Sequence, residues 1–206
     1  LHTPQPQVAE QDPDEIYEAV VEGLATVMRR AGLSACDVLC VCFSSAMHSL
    51  IALDADGRPL TRSITWADQR AAAQAERLAA DGTGLAVYLR TGTPIHPMSP
   101  LVKLLWLRET HPDLWRRAAR FAGIKEYIFH RLFGEWVMDH SLASATGCLN
   151  LERLAWDEEA LRLAGVREEQ LPRLVPTTHR LTGLRAEVAE RTGLSPETPF
   201  VAGASD

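Results

Sequence analysis

The sequence predicts an α/β fold, a mixed sheet flanked by helices, and three observations carry that expectation. Val38-Leu39-Cys40-Val41-Cys42-Phe43 is a continuous apolar run, the pattern of a strand covered on both faces. A second apolar run over residues 50–53 passes through the turn signal Asp54-Ala55-Asp56-Gly57 into a returning strand over residues 59–66, which reads as a hairpin. An amphipathic helix precedes both, so the chain opens helix, buried strand, hairpin.

In chain order, residues 1–11 are polar and Pro-containing and read as a connector. Asp12 can cap a helix with Pro13 at its first position and Glu15 three after the cap. Ile16, Val20, Gly23, Leu24, Val27, Met28 and Ala31 recur at helical spacing, and Gly32 ends the helix. After the hairpin, residues 68–80 are Ala-rich and helical until Asp81-Gly82-Thr83-Gly84 stops them. Residues 90–100 are turn formers stiffened by Pro94, Pro97 and Pro100, a loop suited to carrying binding side chains.

Ser99 with Pro100 opens the next helix, with Leu101, Leu104 and Leu105 inward, and His111-Pro112 closes it. Residues 113–120 read as a short helix, 121–124 as a strand, and 125–133 as a helix stopped by Gly134. Residues 136–139 form a further strand, followed by the small-residue segment Ser141-Leu142-Ala143-Ser144-Ala145-Thr146-Gly147. Asp157 caps a helix ending at Gly165, residues 182–192 read as helical, and a last strand at 199–202 leads into Gly203-Ala204-Ser205-Asp206.

A chain of 206 residues can bury a sizeable core, and its 46% hydrophobic fraction is that of a globular protein. A net charge of -6 with scattered basic residues gives nucleic acid no footprint; Arg116, Arg117 and Arg120 read as a solvated helix side. No apolar run approaches the roughly 20 residues that span a bilayer, and the N-terminus lacks signal-peptide features, so no membrane partner and a cytoplasmic location are expected. Cys36, Cys40, Cys42 and Cys148 match no zinc spacing and read as buried, reduced thiols, with no metal site.

The chemistry-bearing residues sit where the apolar pattern breaks. Ser44-Ser45-Ala46-Met47-His48 stands at the C-terminal end of the first strand, where open α/β sheets keep their ligands. The hairpin returns Trp66-Ala67-Asp68-Gln69-Arg70 toward it, so an aromatic face, an imidazole, a carboxylate and a guanidinium can converge on one small polar ligand. The Asp54 turn is no EF-hand, since position 52 is Ala and no Glu stands six residues after Gly57. Neither a nucleophile elbow nor a Walker or Rossmann glycine loop is present.

These motifs carry a resemblance. Met47-His48, Trp66-Ala67-Asp68-Gln69-Arg70, Pro100-Leu101-Val102-Lys103-Leu104-Leu105-Trp106 and Val201-Ala202-Gly203-Ala204-Ser205-Asp206 occur in the order and spacing of the FGGY carbohydrate kinases. Residues 91–100 and 141–147 look most like gluconate kinases. The resemblance implies a ribonuclease-H-like (actin-like ATPase) lobe over residues 1–206, a partial N-terminal sugar-binding domain without the family's first phosphate-binding strands and C-terminal nucleotide lobe. Exposed strand edges and self-association are then expected.

The implied activity is phosphorylation of a sugar or sugar acid, most of all D-gluconate to 6-phosphogluconate, by ATP with Mg2+, both bound largely outside this chain. Xylulose- or glycerol-type kinases are the alternative, and a noncatalytic sugar-binding module is the alternative of another class. The 206-residue chain alone is expected to be inactive.

The resemblance makes Asp206 the general base. Met47, His48, Trp66, Asp68, Arg70, His96, Met98, Asp139 and Ser144 become candidate sugar contacts, with Arg70, Arg90 and His96 as candidates for a substrate carboxylate. Taken alone, Asp206 reads as a solvated terminal residue, Trp66 as core and His48 as a satisfied histidine, while Asp68 can orient Arg70 or cap a helix. Lys103 and Trp106 read as a packed helix face with a snorkelling lysine. The expected partner is a small sugar or sugar acid, and a homodimer is compatible with the reading.

Overall fold

A computed structural model describes residues 1–206. β1 (Glu10–Gln11) leads into α1 (Pro13–Ala31), β2 (Val41–Ser45), β3 (Ile51–Leu53) and β4 (Ser63–Ile64). Next come α2 (Ala72–Ala80), α3 (Thr83–Thr91), α4 (Pro100–Thr110), α5 (Pro112–Arg117), β5 (Arg120–Ala122), α6 (Ile124–Phe133), β6 (Val137–Asp139) and α7 (His140–Ser144). The chain finishes with β7 (Leu149–Asn150), β8 (Ala155–Trp156), α8 (Glu158–Ala164), β9 (Arg173–Val175), β10 (Arg180–Leu181), α9 (Ala186–Thr192) and β11 (Phe200–Ser205).

The strands form short ladders of both senses: β2 with β11 and β6 with β9 are parallel, the rest antiparallel. Alternation along β3 divides the core in two. Leu50 and Ala52 join Leu101, Leu104, Leu105 and Ala160 on one side, under α2, α4 and α8. Ile51 and Leu53 join Tyr17, Val21, Tyr127, Phe129 and Val188 on the other, under α1, α6 and α9. The result is a helix, sheet, helix sandwich, in which each fully buried Leu or Phe contributes about 1.5–3 kcal/mol.

Local signals act as expected at several helix ends. The Asp12 carboxylate accepts from the amides of Asp14 at 3.0 Å and Glu15 at 3.3 Å, and Gly32 ends α1 in the left-handed conformation. Asp157 caps α8, and Gly165 closes it. The hairpin forms, with Leu50 and Ile64 exchanging amide hydrogen bonds at 3.0 and 2.9 Å. Its return is irregular, because the Thr61 hydroxyl takes the Ala52 amide at 3.0 Å, and only Ser63–Ile64 is regular strand.

Four expectations are corrected. The strand buried on both faces is β3; β2 pairs only with β11, and Leu39 beside it is 87% exposed. For the same reason Cys36, Cys40 and Cys42 are exposed, and only Cys148 is buried, its thiol pushed up to about 12 by burial. The helix expected from residue 68 starts at Ala72, because Asp68 draws the preceding residues into a turn, taking the Arg70 amide at 3.1 Å. The helix expected from residue 182 starts at Ala186, since the Gly183 and Leu184 amides go to the Pro196 carbonyl at 2.9 and 3.0 Å.

Two helices were not expected, α3 and the short α7. Asp81 accepts from the Thr83 amide at 2.8 Å and restarts the chain as α3 directly after Gly82.

Candidate functional site

The parallel strands β2 and β11 end together, and the candidate residues gather beyond those ends. Ser44 and Ser45 stand opposite Ala204 and Ser205, and the Asp206 amide donates to the Ser45 carbonyl at 3.1 Å. A bulge between Val201 and Ala204 bends β11 here. Gly203 makes it, at φ 71°, with its Cα so close to β2 that a Cβ would stand 1.8 Å from the Phe43 carbonyl oxygen. The bulge ends in Asp206, whose carboxylate is exposed.

His48 also has a positive φ, 68°, a conformation that costs a non-glycine residue about 1–2 kcal/mol. Two bonds hold it there. Its ring Nδ1 lies 2.9 Å from the Ala145 carbonyl, which can only accept, so Nδ1 carries the proton and Nε2 is left as an acceptor. Its own carbonyl takes the Lys103 ammonium at 2.5 Å, and the same Nζ reaches the Thr65 carbonyl at 2.8 Å.

Lys103 therefore does not snorkel. It is 1% exposed, and burial pulls its pKa down to about 7 against the opposing pull of Asp68. It ties His48, three residues past β2, to Thr65, the residue after β4. Burial lowers the pKa of His48, with the charges of Lys103 and His96 acting the same way and the Ala145 bond and Asp206 opposing, so the neutral ring is favoured.

Trp66 follows Thr65 in a turn stapled to the N-terminal segment: Thr65 donates through its amide and hydroxyl to the Ala9 carbonyl at 3.0 and 2.9 Å. The indole is 60% exposed rather than core. With Met47, Ala46, Ser49, Thr65 and Ile124 it lines an open cleft of about 260 Å³.

His96 and Met98 lie on the loop between α3 and α4. The Met98 amide donates to His96 Nδ1 at 3.2 Å, which leaves Nε2–H as a free donor in the neutral ring. Thr93 anchors this loop through its hydroxyl to the Ser144 carbonyl at 2.6 Å, and the Ser144 hydroxyl donates to the Ser141 carbonyl at 2.7 Å.

The other candidates are engaged elsewhere: Asp68 orients Arg70, as their spacing allows, and the remaining partners are distant in sequence. Asp68 is buried and accepts from the Ala9 amide at 2.9 Å and from Arg70 Nε at 3.0 Å. Arg70 also reaches Glu10 at 2.5 Å and lies over the Trp106 ring, 4.6 Å from its centroid, so its guanidinium is not free for a substrate carboxylate. Arg90 is held by Asp157 at 3.0 Å and Glu159 at 2.8 Å.

Asp139 is wholly buried and does not line the cleft beside Trp66. It pairs with Lys125 at 2.6 Å and caps α7 through the amides of Ser141 and Leu142. Of the three candidates for a substrate carboxylate, His96 alone is exposed with a free donor. Lys125 and Ser141 were missed by sequence reasoning; the only signal was a charged pair, Lys125-Glu126, inside an apolar helix.

No group of three or more His, Cys, Asp or Glu side chains comes together in the chain. No helix is long and apolar enough to cross a membrane.

Known proteins share this fold. The chain is 48% identical over 206 residues to a gluconokinase of Bacillus licheniformis, covering 100% of this chain and 40% of the relative. It superposes with a TM-score of 0.96 on a gluconate kinase from Lactobacillus acidophilus at 37% identity, covering 100% of this chain and 41% of that one. A ligand-bound xylulose kinase from the same organism gives the same TM-score, identity and coverage. The chain thus spans about 40% of the length of the curated relatives it matches, and its fold is the actin-like ATPase lobe of sugar kinases. Residues 1–206 match the N-terminal domain of the FGGY family of carbohydrate kinases, and the chain belongs to that family.

Proposed function

We propose that these residues form the sugar-binding part of an ATP-dependent kinase whose substrate is a sugar acid, D-gluconate, and whose product is 6-phosphogluconate. One observation carries the reading: on a chain 48% identical to a gluconokinase, the joint ends of β2 and β11 set an exposed carboxylate, Asp206, against Ser45, three residues before His48. Trp66 and Met47 in the adjoining cleft supply an apolar wall for the C–H face of a sugar. His48 Nε2 accepts from a sugar hydroxyl, and His96 Nε2–H donates to an oxygen of the substrate, its carboxylate included.

Asp206 takes the proton of the reacting hydroxyl as that oxygen bonds to the γ-phosphorus and the bond to the ADP oxygen breaks. Positioning and charge neutralisation dominate such transfers, so a carboxylate fixed at a strand end suffices as the protein's contribution on the sugar side. ATP as donor, Mg2+ as its counter-ion, a nucleotide-binding part outside residues 1–206 and a cytoplasmic setting belong to the same proposal. No step is assigned to the metal.

The test is ADP release by the kinase that contains this domain, offered gluconate, xylulose, glycerol and ribulose, with Asp206→Asn as control. Release with gluconate that falls by about 10²–10⁴-fold in the control is expected. Turnover with xylulose or glycerol but not gluconate would displace the sugar acid, and a fully active Asp206→Asn would remove the base.

A further inference from the structure

The residues that lead into Asp206 are gripped from beneath by a ring of polar side chains. Lys125 Nζ donates to the Ala202 carbonyl at 2.9 Å and the Ala204 carbonyl at 3.4 Å, one on each side of Gly203. The same Nζ pairs with Asp139 Oδ2 at 2.6 Å, and both side chains are completely buried. Asp139 Oδ1 accepts from the Ser141 amide at 3.0 Å. Ser141 Oγ accepts from the Ser205 amide at 3.2 Å and lies 3.0 Å from Ser205 Oγ. From Ser205 the backbone returns to Ala204 and the ring closes.

A purely structural role explains this ring poorly. Burying a lysine and an aspartate carries a desolvation penalty that often cancels their attraction, and an apolar pair of similar volume would pack α6 against β6 as well. What an apolar pair lacks is donors for a strand that has left its ladder. Between Val201 and Ala204 the register with β2 is broken, and the Ala202 and Gly203 amides turn to the carbonyls of His179 and Thr177, both at 2.9 Å. Lys125 takes the carbonyls on either side of the kink, and Ser141 takes the next amide. Beyond them Asp206 has one backbone bond, to Ser45.

We propose that Lys125, through Asp139 and Ser141, is a positioning device that sets the direction in which Asp206 leaves the sheet. The proposal rests on the reading of Asp206 as the base. It assigns Lys125, Asp139 and Ser141 to the phosphoryl-transfer step rather than to sugar affinity.

The test compares Ser141→Ala, Ser141→Thr and Lys125→Met in the kinase that contains this domain. Ser141→Ala is expected to lower kcat about tenfold, the scale of a base displaced by a fraction of an ångström, with the sugar KM changed by less than about twofold. Ser141→Thr, which keeps the hydroxyl, restores most of it. Lys125→Met leaves Asp139 unpaired; if it does not fold, Ser141→Ala decides. A raised KM with unchanged kcat overturns the proposal, as does a loss of thermal stability with kcat intact.

Amide hydrogen exchange on the kinase that contains this domain gives a readout independent of the substrate. The Asp206 amide should exchange about tenfold faster in Ser141→Ala, with the β3 amides unchanged. Equal Asp206 exchange overturns the proposal even where no sugar is turned over, whereas a wild-type kinase inactive on gluconate with altered exchange in the variant overturns only the substrate reading.

Discussion

Gly203→Ala tests the bulge that aims Asp206. The substitution does two things that can be separated. It places a Cβ on a residue at φ 71°, which costs about 1–2 kcal/mol. It also drives that Cβ to 1.8 Å from the Phe43 carbonyl oxygen and 2.9 Å from its carbon, and this backbone cannot swing aside as a side chain would. Relief requires β2 and β11 to part by more than an ångström, breaking the pairing of Ala204 with Ser44 and of Ser205 with Ser45. Overpacking of this kind adds about 1–3 kcal/mol, for a sum of about 2–5 kcal/mol.

Gly193→Ala is the internal control. Gly193 has φ 77° with nothing within 4 Å of a built Cβ, so only the conformational cost of about 1–2 kcal/mol applies. Urea unfolding of the two variants reads the difference directly, as a lower midpoint for Gly203→Ala at equal slope. Equal midpoints would falsify the steric argument. A lower midpoint accompanied by wild-type turnover would show that the bulge shapes stability without aiming the carboxylate.

Two further outcomes follow from the same geometry. Trp66→Ala should raise the sugar KM about 3–10-fold, the scale of one aromatic contact, and shift stability by less than about 0.5 kcal/mol because the indole is 60% exposed; a large loss of stability would return Trp66 to the core. For His48 the sign is set by its lowered pKa: the neutral ring, with Nε2 as acceptor, persists to a pH below the ordinary 6.5, and its contribution to stability is present above 6.5 and lost as pH falls through the lowered value. The His48 contribution to sugar kcat/KM should thus be flat above 6.5 and fall below it, and a midpoint at or above 6.5 that vanishes in His48→Gln contradicts the assignment.

The elements whose ends are signalled locally were legible in the sequence. Asp12-Pro13, Ser99-Pro100, Asp157 and the closing Gly32, Gly134 and Gly165 mark helices that the structure contains, since a cap is a contact between near neighbours. Residues 38–43 misled because apolarity says that a segment can be covered, not what covers it, and β2 has a partner on one edge alone. The site divides along the same line. Met47, His48, Trp66 and Asp206 stand at strand ends, a position that a strand pattern reveals. Arg90 and Asp139 look identical in sequence to free charges, and only long-range partners, Asp157 and Lys125, show that they are taken, whereas one partner of Arg70, Asp68, stands two residues away.

The two buried lysines explain why those partners matter to the site. Lys103 binds the carbonyls of His48 and Thr65, and Lys125 those of Ala202 and Ala204, so each ammonium joins backbone next to a candidate sugar or proton contact. Both sit on helices, α4 and α6, in opposite halves of the divided core. A helix is stiff, whereas the segments they hold are a left-handed residue, a turn and a bulge, none of which has a ladder to keep it in place. An ammonium offers three donors in a compact head on a long apolar stem, which lets it cross a hydrophobic layer and satisfy several carbonyls at one point. Irregular backbone at the strand ends is what lets His48, Trp66 and Asp206 point away from the sheet, and charge drawn from the neighbouring helices is what makes that irregularity rigid.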